Sequence, residues 1–277
     1  MKSSITLSLL LCIASAFEIR EPRNAQRERL GSMVQNVVVS SRIANGETAA
    51  ANQFPYQAGL KLYDGQNYHF CGGSLISHEW VLTAADCTLT AVKVIVYLGS
   101  ITYLDSIAPM EVDKCDIKVH HEFDMATARN DIALIKIPYV IYSDAIEPVS
   151  LPKCDSIYRT YVHKTVVASG WGYTSDRCAS ISPILQFANF RVVSNEVCAK
   201  EFGSFMIDNG KICTGTVNRI GSCSGDSGGP LVLASSKLQI GIMSLRSNKG
   251  CESNAPALRT RITSYLYWIR ANTGLTL

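Results

Sequence analysis

The hexapeptide Gly225-Asp226-Ser227-Gly228-Gly229-Pro230 holds the residues of this 277-residue chain best suited to chemistry. A serine stands between glycines, an acid precedes it and a proline closes the turn. Glycines let backbone N–H groups approach a substrate with no Cβ in the way. A serine held there presents its hydroxyl beside those N–H groups. Acyl transfer needs that arrangement, because the oxyanion forms about 3 Å from both the nucleophile and its donors. Ser227 is therefore a candidate nucleophile; the plainer alternative is a Gly-rich turn ahead of a strand at 230–234.

The hexapeptide resembles the nucleophile loop of the chymotrypsin-like (trypsin-type, S1) serine proteases. The resemblance implies that Ser227 is the nucleophile and that the amides of Gly225 and Ser227 form the oxyanion hole. It extends to Asn130-Asp131-Ile132-Ala133-Leu134, which implies that Asp131 is the buried acid that orients the general base. A third stretch, Val81-Leu82-Thr83-Ala84-Ala85-Asp86-Cys87, matches the segment that reads Thr-Ala-Ala-His-Cys in the family. Asp86 thus stands where the resemblance puts the general-base histidine, and the count from Cys71 gives the same position.

An ordinary aspartate has a pKa near ~3.9, against ~6.5 for histidine, so it accepts a proton from serine poorly at neutral pH. It is also shorter than an imidazole, so it is not expected to bridge Ser227 and Asp131. Two neighbouring carboxylates repel, which raises one pKa. Losing the histidine costs roughly a million-fold in turnover in subtilisin, a convergent enzyme. The expectation is a serine protease homologue, impaired or inactive as an enzyme, that acts by binding or by regulating proteolysis. The other imidazoles are His69, His78, His120, His121 and His163, and all are expected to be structural or on the surface. No helix-borne or CxxC ligand spacing supports a metal at Asp86 and Asp131, and no cofactor is expected.

The resemblance also places a substrate pocket. Its floor falls at Gly221, where members that cut after Arg or Lys carry an aspartate. Gly221 resembles the brachyurin-like collagenases of invertebrates, which take their specificity from a charge elsewhere on the wall. One wall, usually Ser-Trp-Gly, is Ser244-Leu245-Arg246 here. Arg246 either lies across the mouth, where it favours acidic residues, or points to solvent. Ala257 and Arg259 replace the usual Gly and Tyr.

These residues need a scaffold. Short apolar runs alternate with turn residues and read as strands at 57–62, 73–76, 80–84, 92–98, 117–119, 132–137, 165–168, 185–193, 231–233 and 238–244. Only Ile262, Tyr265, Leu266 and Ile269 follow helical spacing. The pattern alone gives an all-β fold with a closing helix. The resemblance, over residues 43–270, implies two six-stranded antiparallel β-barrels with the site in the cleft between them.

A hydrophobic content of 47% is ample for a core, and a net charge of +3 with no basic cluster argues against nucleic acid. Ten cysteines without a CxxC pair point to disulfides and an oxidising compartment. Lys2, the apolar run 5–11 and Ala14-Ser15-Ala16 read as a signal peptide over 1–16, too short to span a membrane. The expected product is secreted and extracellular. Residues 17–42 read as a propeptide and 43–277 as the protease-like domain. By the resemblance, a trypsin-like protease cuts after Arg42, and the freed amine of Ile43 then pairs with Asp226, so that the chain is a zymogen. The bridges implied are Cys71–Cys87, Cys198–Cys213 and Cys223–Cys251; Cys12 leaves with the signal, and the pairing of Cys115, Cys154 and Cys178 stays open. Expected partners are proteins or peptides in the cleft. Two other readings stand beside this one: an active serine endopeptidase working through Ser227, and a recognition or structural module that uses the barrel surface, tethered through an odd cysteine.

Overall fold

The computed structural model describes residues 43, 46–106, 109–156, 159–177, 180–216 and 218–277. Arg42, Cys178 and the expected leader segments lie outside them. The strands in chain order are β1 (Glu47–Thr48), β2 (Gln57–Tyr63), β3 (Tyr68–Ser77), β4 (Trp80–Thr83), β5 (Lys93–Tyr97), β6 (Met110–Asp113) and β7 (Ile117–Val119). They continue with β8 (Ala133–Lys136), β9 (Thr165–Gly170), β10 (Gln186–Val193), β11 (Lys211–Gly215), β12 (Pro230–Leu233), β13 (Gln239–Leu245) and β14 (Ala257–Arg261). Three helices accompany them: α1 (Ala85–Thr88), α2 (Asn195–Phe202) and α3 (Leu266–Thr273).

The strands form two antiparallel sheets, ordered β6-β5-β2-β3-β4-β8-β7 and β1-β10-β11-β14-β13-β12-β9. A further β9–β10 ladder closes the second sheet into a ring of six, to which β1 adds a seventh strand. The all-β, two-barrel architecture with a closing helix is therefore present, with seven strands per sheet rather than six. The additional strands lacked a pattern to betray them. β1 is two exposed residues held only by pairing with Gln186 and Phe187, and β6 buries only Val112.

Alternation explains the strands that were legible. In β10 the positions Gln186, Ala188, Phe190 and Val192 are buried while their neighbours are not, the period of a sheet with one face on a core. β11 and β14 were hidden because they bury polar side chains: Lys211, Thr214, Arg259 and Thr260 are all within the interior. The α3 periodicity began too early. Ile262 and Tyr265 are buried, but Ile262–Ser264 is a 3₁₀ turn and the α-helix starts at Leu266. It ends at Gly274, whose left-handed φ of 74° suits a glycine.

Each sheet has its own apolar core. Leu60, Leu62, Leu75, Leu82, Val94 and Leu134 fill the first, and α3 packs there through Leu266 and Ile269. Ile43, Val166, Phe190, Ile212 and Leu231 fill the second. Disulfides join Cys71 to Cys87, Cys198 to Cys213 and Cys223 to Cys251. Cys115 and Cys154 are free thiols.

Candidate active site

Three segments bring the motif residues together. Ser227 sits on the turn between Cys223 and β12. Gly225 and Gly228 in that turn take φ values of 94° and 79°, which side chains resist. The turn is pinned at both ends. The Gly228 amide donates to the Met243 carbonyl, and the Gly72 amide donates to the Ser227 carbonyl, both at 2.8 Å. The amides of Gly225 and Ser227 have no intramolecular acceptor among the described residues.

Asp131 is positioned by Asn130, which adopts a left-handed φ of 54°, a conformation asparagine tolerates. The Asn130 side chain is held at both ends, donating to the Glu122 carbonyl at 2.8 Å and accepting from the Tyr265 hydroxyl at 3.1 Å. Asp131 is 1% exposed. One carboxylate oxygen accepts from the Asp86 amide at 2.9 Å, the other from the Ser244 hydroxyl at 2.5 Å. Ser244, expected only as a pocket wall, thus also engages the buried acid.

Asp86 lies on the single turn α1, which the Cys71–Cys87 bridge ties to β3. The Ser227 hydroxyl donates to its carboxylate at 3.0 Å. The residue is exposed to the cleft, yet protein hems in the carboxyl group itself. This desolvation and the charge of Asp131 push the carboxyl up to about 7, against the hydrogen bonds from Ser227 and Cys87. Burial also pushes Asp131 up, opposed first by the Ser244 hydrogen bond and further by the ammonium of Lys211. Lys211 is itself buried and donates to the Ala128 carbonyl. Nothing in its local sequence marks it as a neighbour of the buried acid.

Four of the five histidines have their rings engaged by other groups. His120 is buried against Tyr265 and Trp268, His121 stacks on His120, and His78 stacks between Tyr139 and Tyr142. His69 bonds the carbonyl of Cys87, the residue after Asp86, through Nε2 at 2.9 Å.

Asp226 is buried, and its two oxygens accept from the amides of Gly172 and Cys223, both at 2.8 Å. Burial pushes this carboxyl up to about 6, against those two bonds and the charge of Arg259. Ile43 is fully buried in the second core. A small cavity beside Ser227 is lined by Ser222, Ser244, Arg246 and Arg259 among others. Arg246 is exposed and donates to the Ser224 hydroxyl at 3.2 Å, so it lies along the cavity mouth. Gly221 abuts the Cys251 carbonyl, where a Cβ would come within 2.0 Å. The carbonyl of Ala257 accepts from Thr214. Neither Gly221 nor Ala257 is among the cavity's lining residues. Arg259, noted in the sequence as a departure from the usual Tyr, is one of the lining residues.

The chain is similar to known proteins over most of its length. The trypsin family model matches residues 43–269. A collagenase of Hypoderma lineatum is 39% identical over 276 residues, covering 99% of each chain. Serine protease 1 of Drosophila melanogaster is 37% identical, over 86% of this chain and 88% of its own. Brachyurin of Leptuca pugilator is 38% identical, over 84% and 100%. The solved structure of HL collagenase superposes with a TM-score of 0.79 at 40% identity, covering 84% of this chain and 99% of the other. With two antiparallel barrels, a serine on a glycine-pinned turn and a buried aspartate beside it, the chain belongs to the trypsin family of serine proteases.

Proposed function

We propose that this chain is a secreted member of the family whose cleft holds a peptide against Ser227 and whose hydrolysis is severely limited by Asp86. The single observation that carries the reading is the hydrogen bond from the Ser227 hydroxyl to a carboxylate where an imidazole is expected. A relay needs one group that takes the serine proton on one side and is steadied by the buried acid on the other. Asp86 divides these tasks: its side chain meets Ser227, but only its backbone amide meets Asp131. In this reading the amides of Gly225 and Ser227 receive the substrate carbonyl. Cleavage after Arg42 by a trypsin-like protease frees Ile43 to pair with Asp226. Residues 1–16 and 17–42 serve as signal and propeptide.

A second reading, a working endopeptidase, is favoured by the relatives, which carry the names of collagenase and serine protease. It is also favoured by the Asp86 carboxyl, pushed up to about 7, close to where a general base works. Hydrolysis of a peptide library by the Arg42-cleaved protein, beside its Asp86→His and Ser227→Ala variants, separates the two. The first reading expects Asp86→His to gain roughly a thousand-fold or more. Strong turnover by the native chain, lost in Ser227→Ala and not improved by Asp86→His, would establish the second.

A further inference from the structure

Arg259 is the most unusual group in the cleft. It lies at the centre of β14, between Ile212 of β11 and Met243 of β13, and is 1% exposed. Its Nε donates to the Thr214 hydroxyl at 3.3 Å, while its Nη2 is buried with no acceptor. A desolvated cation without an acceptor is among the costliest groups a protein can hold. The acid close enough to attract it is Asp226, but both oxygens of that carboxylate already accept backbone amides. No carboxylate among the described residues stands within ion-pairing distance of Arg259. Arg259 is nevertheless one of the residues lining the cavity next to Ser227, which has a volume of about 100 Å³ and whose other walls include the hydroxyl residues Ser222, Ser224 and Ser244.

We propose that this cavity is a receptor for an acidic side chain of a bound peptide, with the guanidinium of Arg259 as its seat. The proposal rests on the reading above that the cleft binds peptide, and it adds the class of residue held beside Ser227. A carboxylate entering the cavity supplies the acceptor that Arg259 lacks, in the planar geometry guanidinium groups match well. The hydroxyls of Ser222 and Ser224 complete its hydrogen bonds, and Arg246 at the mouth adds a second positive charge. An apolar side chain would leave the guanidinium desolvated and unpaired, and a basic one would meet two like charges.

The test is fluorescence anisotropy of labelled Ala-Ala-Pro-Glu, Ala-Ala-Pro-Gln, Ala-Ala-Pro-Leu and Ala-Ala-Pro-Arg amides with the Arg42-cleaved protein. The amide end makes the Glu side chain the one anion offered. The Glu peptide is expected to bind about tenfold or more tightly than its Gln counterpart. Arg259→Gln is expected to erase that preference, and Arg246→Gln to keep most of it. Glu and Gln peptides binding alike would overturn the acidic receptor while leaving the peptide-binding cleft standing. Absence of binding by every peptide would overturn both. Should Arg259→Gln not fold, the native Glu-to-Gln ratio and the Arg246→Gln variant still decide. A preference lost with Arg246 would move the seat to the mouth and refute the assignment to Arg259.

Discussion

The carboxyl of Asp86 is pushed from the ordinary 3.8 up to about 7, and this has a consequence for folding that does not depend on catalysis. The folded chain holds the Asp86 proton more tightly than the unfolded chain does. Its stability is therefore fully present below 3.8 and is lost as pH rises through about 7. Converted at 1.36 kcal/mol per pH unit, the gap is worth ~4 kcal/mol in the limit of no screening. Asp86 is exposed to the cleft, and solvent screening at such a position cuts the figure to ~1–2 kcal/mol. Asp86→Asn keeps the shape and removes the charge. In urea unfolding with the disulfides intact, Asn should be about as stable as the native chain near pH 4 and more stable by ~1–2 kcal/mol above pH 8. Asp226, which also titrates, is common to both proteins and cancels in the difference. A margin that stays flat across this range, or an Asn variant less stable throughout, would refute the claim that Asp86 carries a strained negative charge.

Two further outcomes follow from the scaffold of the site. Gly228→Ala places a Cβ at a φ of 79° and 2.2 Å from the Thr83 hydroxyl; a loss of ~2–4 kcal/mol in urea unfolding is expected, with weakened peptide binding. A loss below ~0.5 kcal/mol would show that the nucleophile turn can relax. Removing the Cys71–Cys87 bridge by paired alanines opens a loop with a sequence separation of 16. That should cost ~3 kcal/mol by the loop-entropy relation, measured by the same unfolding experiment, and it should loosen α1 and with it the contact between Asp86 and Ser227.

Much of the site was legible because its parts are local. The nucleophile turn is written in consecutive glycines, and Asn130 sets the backbone of Asp131 from the adjacent position. The fold was legible where strands alternate, as in β10 and β5. It was hidden where interior strands carry polar residues. Lys211 and Arg259 read as surface positions because charged side chains are seldom buried, and only the pairing of β11 with β14, in which Lys211 faces Thr260 and Ile212 faces Arg259, brings them inside. The second role of Ser244 was invisible for a related reason: its hydroxyl meets a carboxylate 113 residues away.

If Asp86 takes the place of the general base, as proposed, the charges around Ser227 make it doubly unsuited to the chemistry. Lys211 and the Ser244 hydroxyl both favour the ionised form of Asp131, whereas Asp86 has no such cation and faces the Asp131 charge. Asp86, pushed up to about 7 by desolvation and by the Asp131 charge, changes its own charge near neutrality. Below its midpoint it is a neutral acid and cannot accept the serine proton. Above its midpoint it is an anion beside the place where a second negative charge must develop on the oxyanion. An imidazole avoids both difficulties, being neutral before proton transfer and positive once the oxyanion has formed. On the proposed roles of the Gly225 and Ser227 amides and of the Arg259 guanidinium, a peptide can still be held in such a cleft, since none of these groups needs a proton to move. In the proposed reading, binding and turnover thus depend on different residues, and only turnover depends on Asp86.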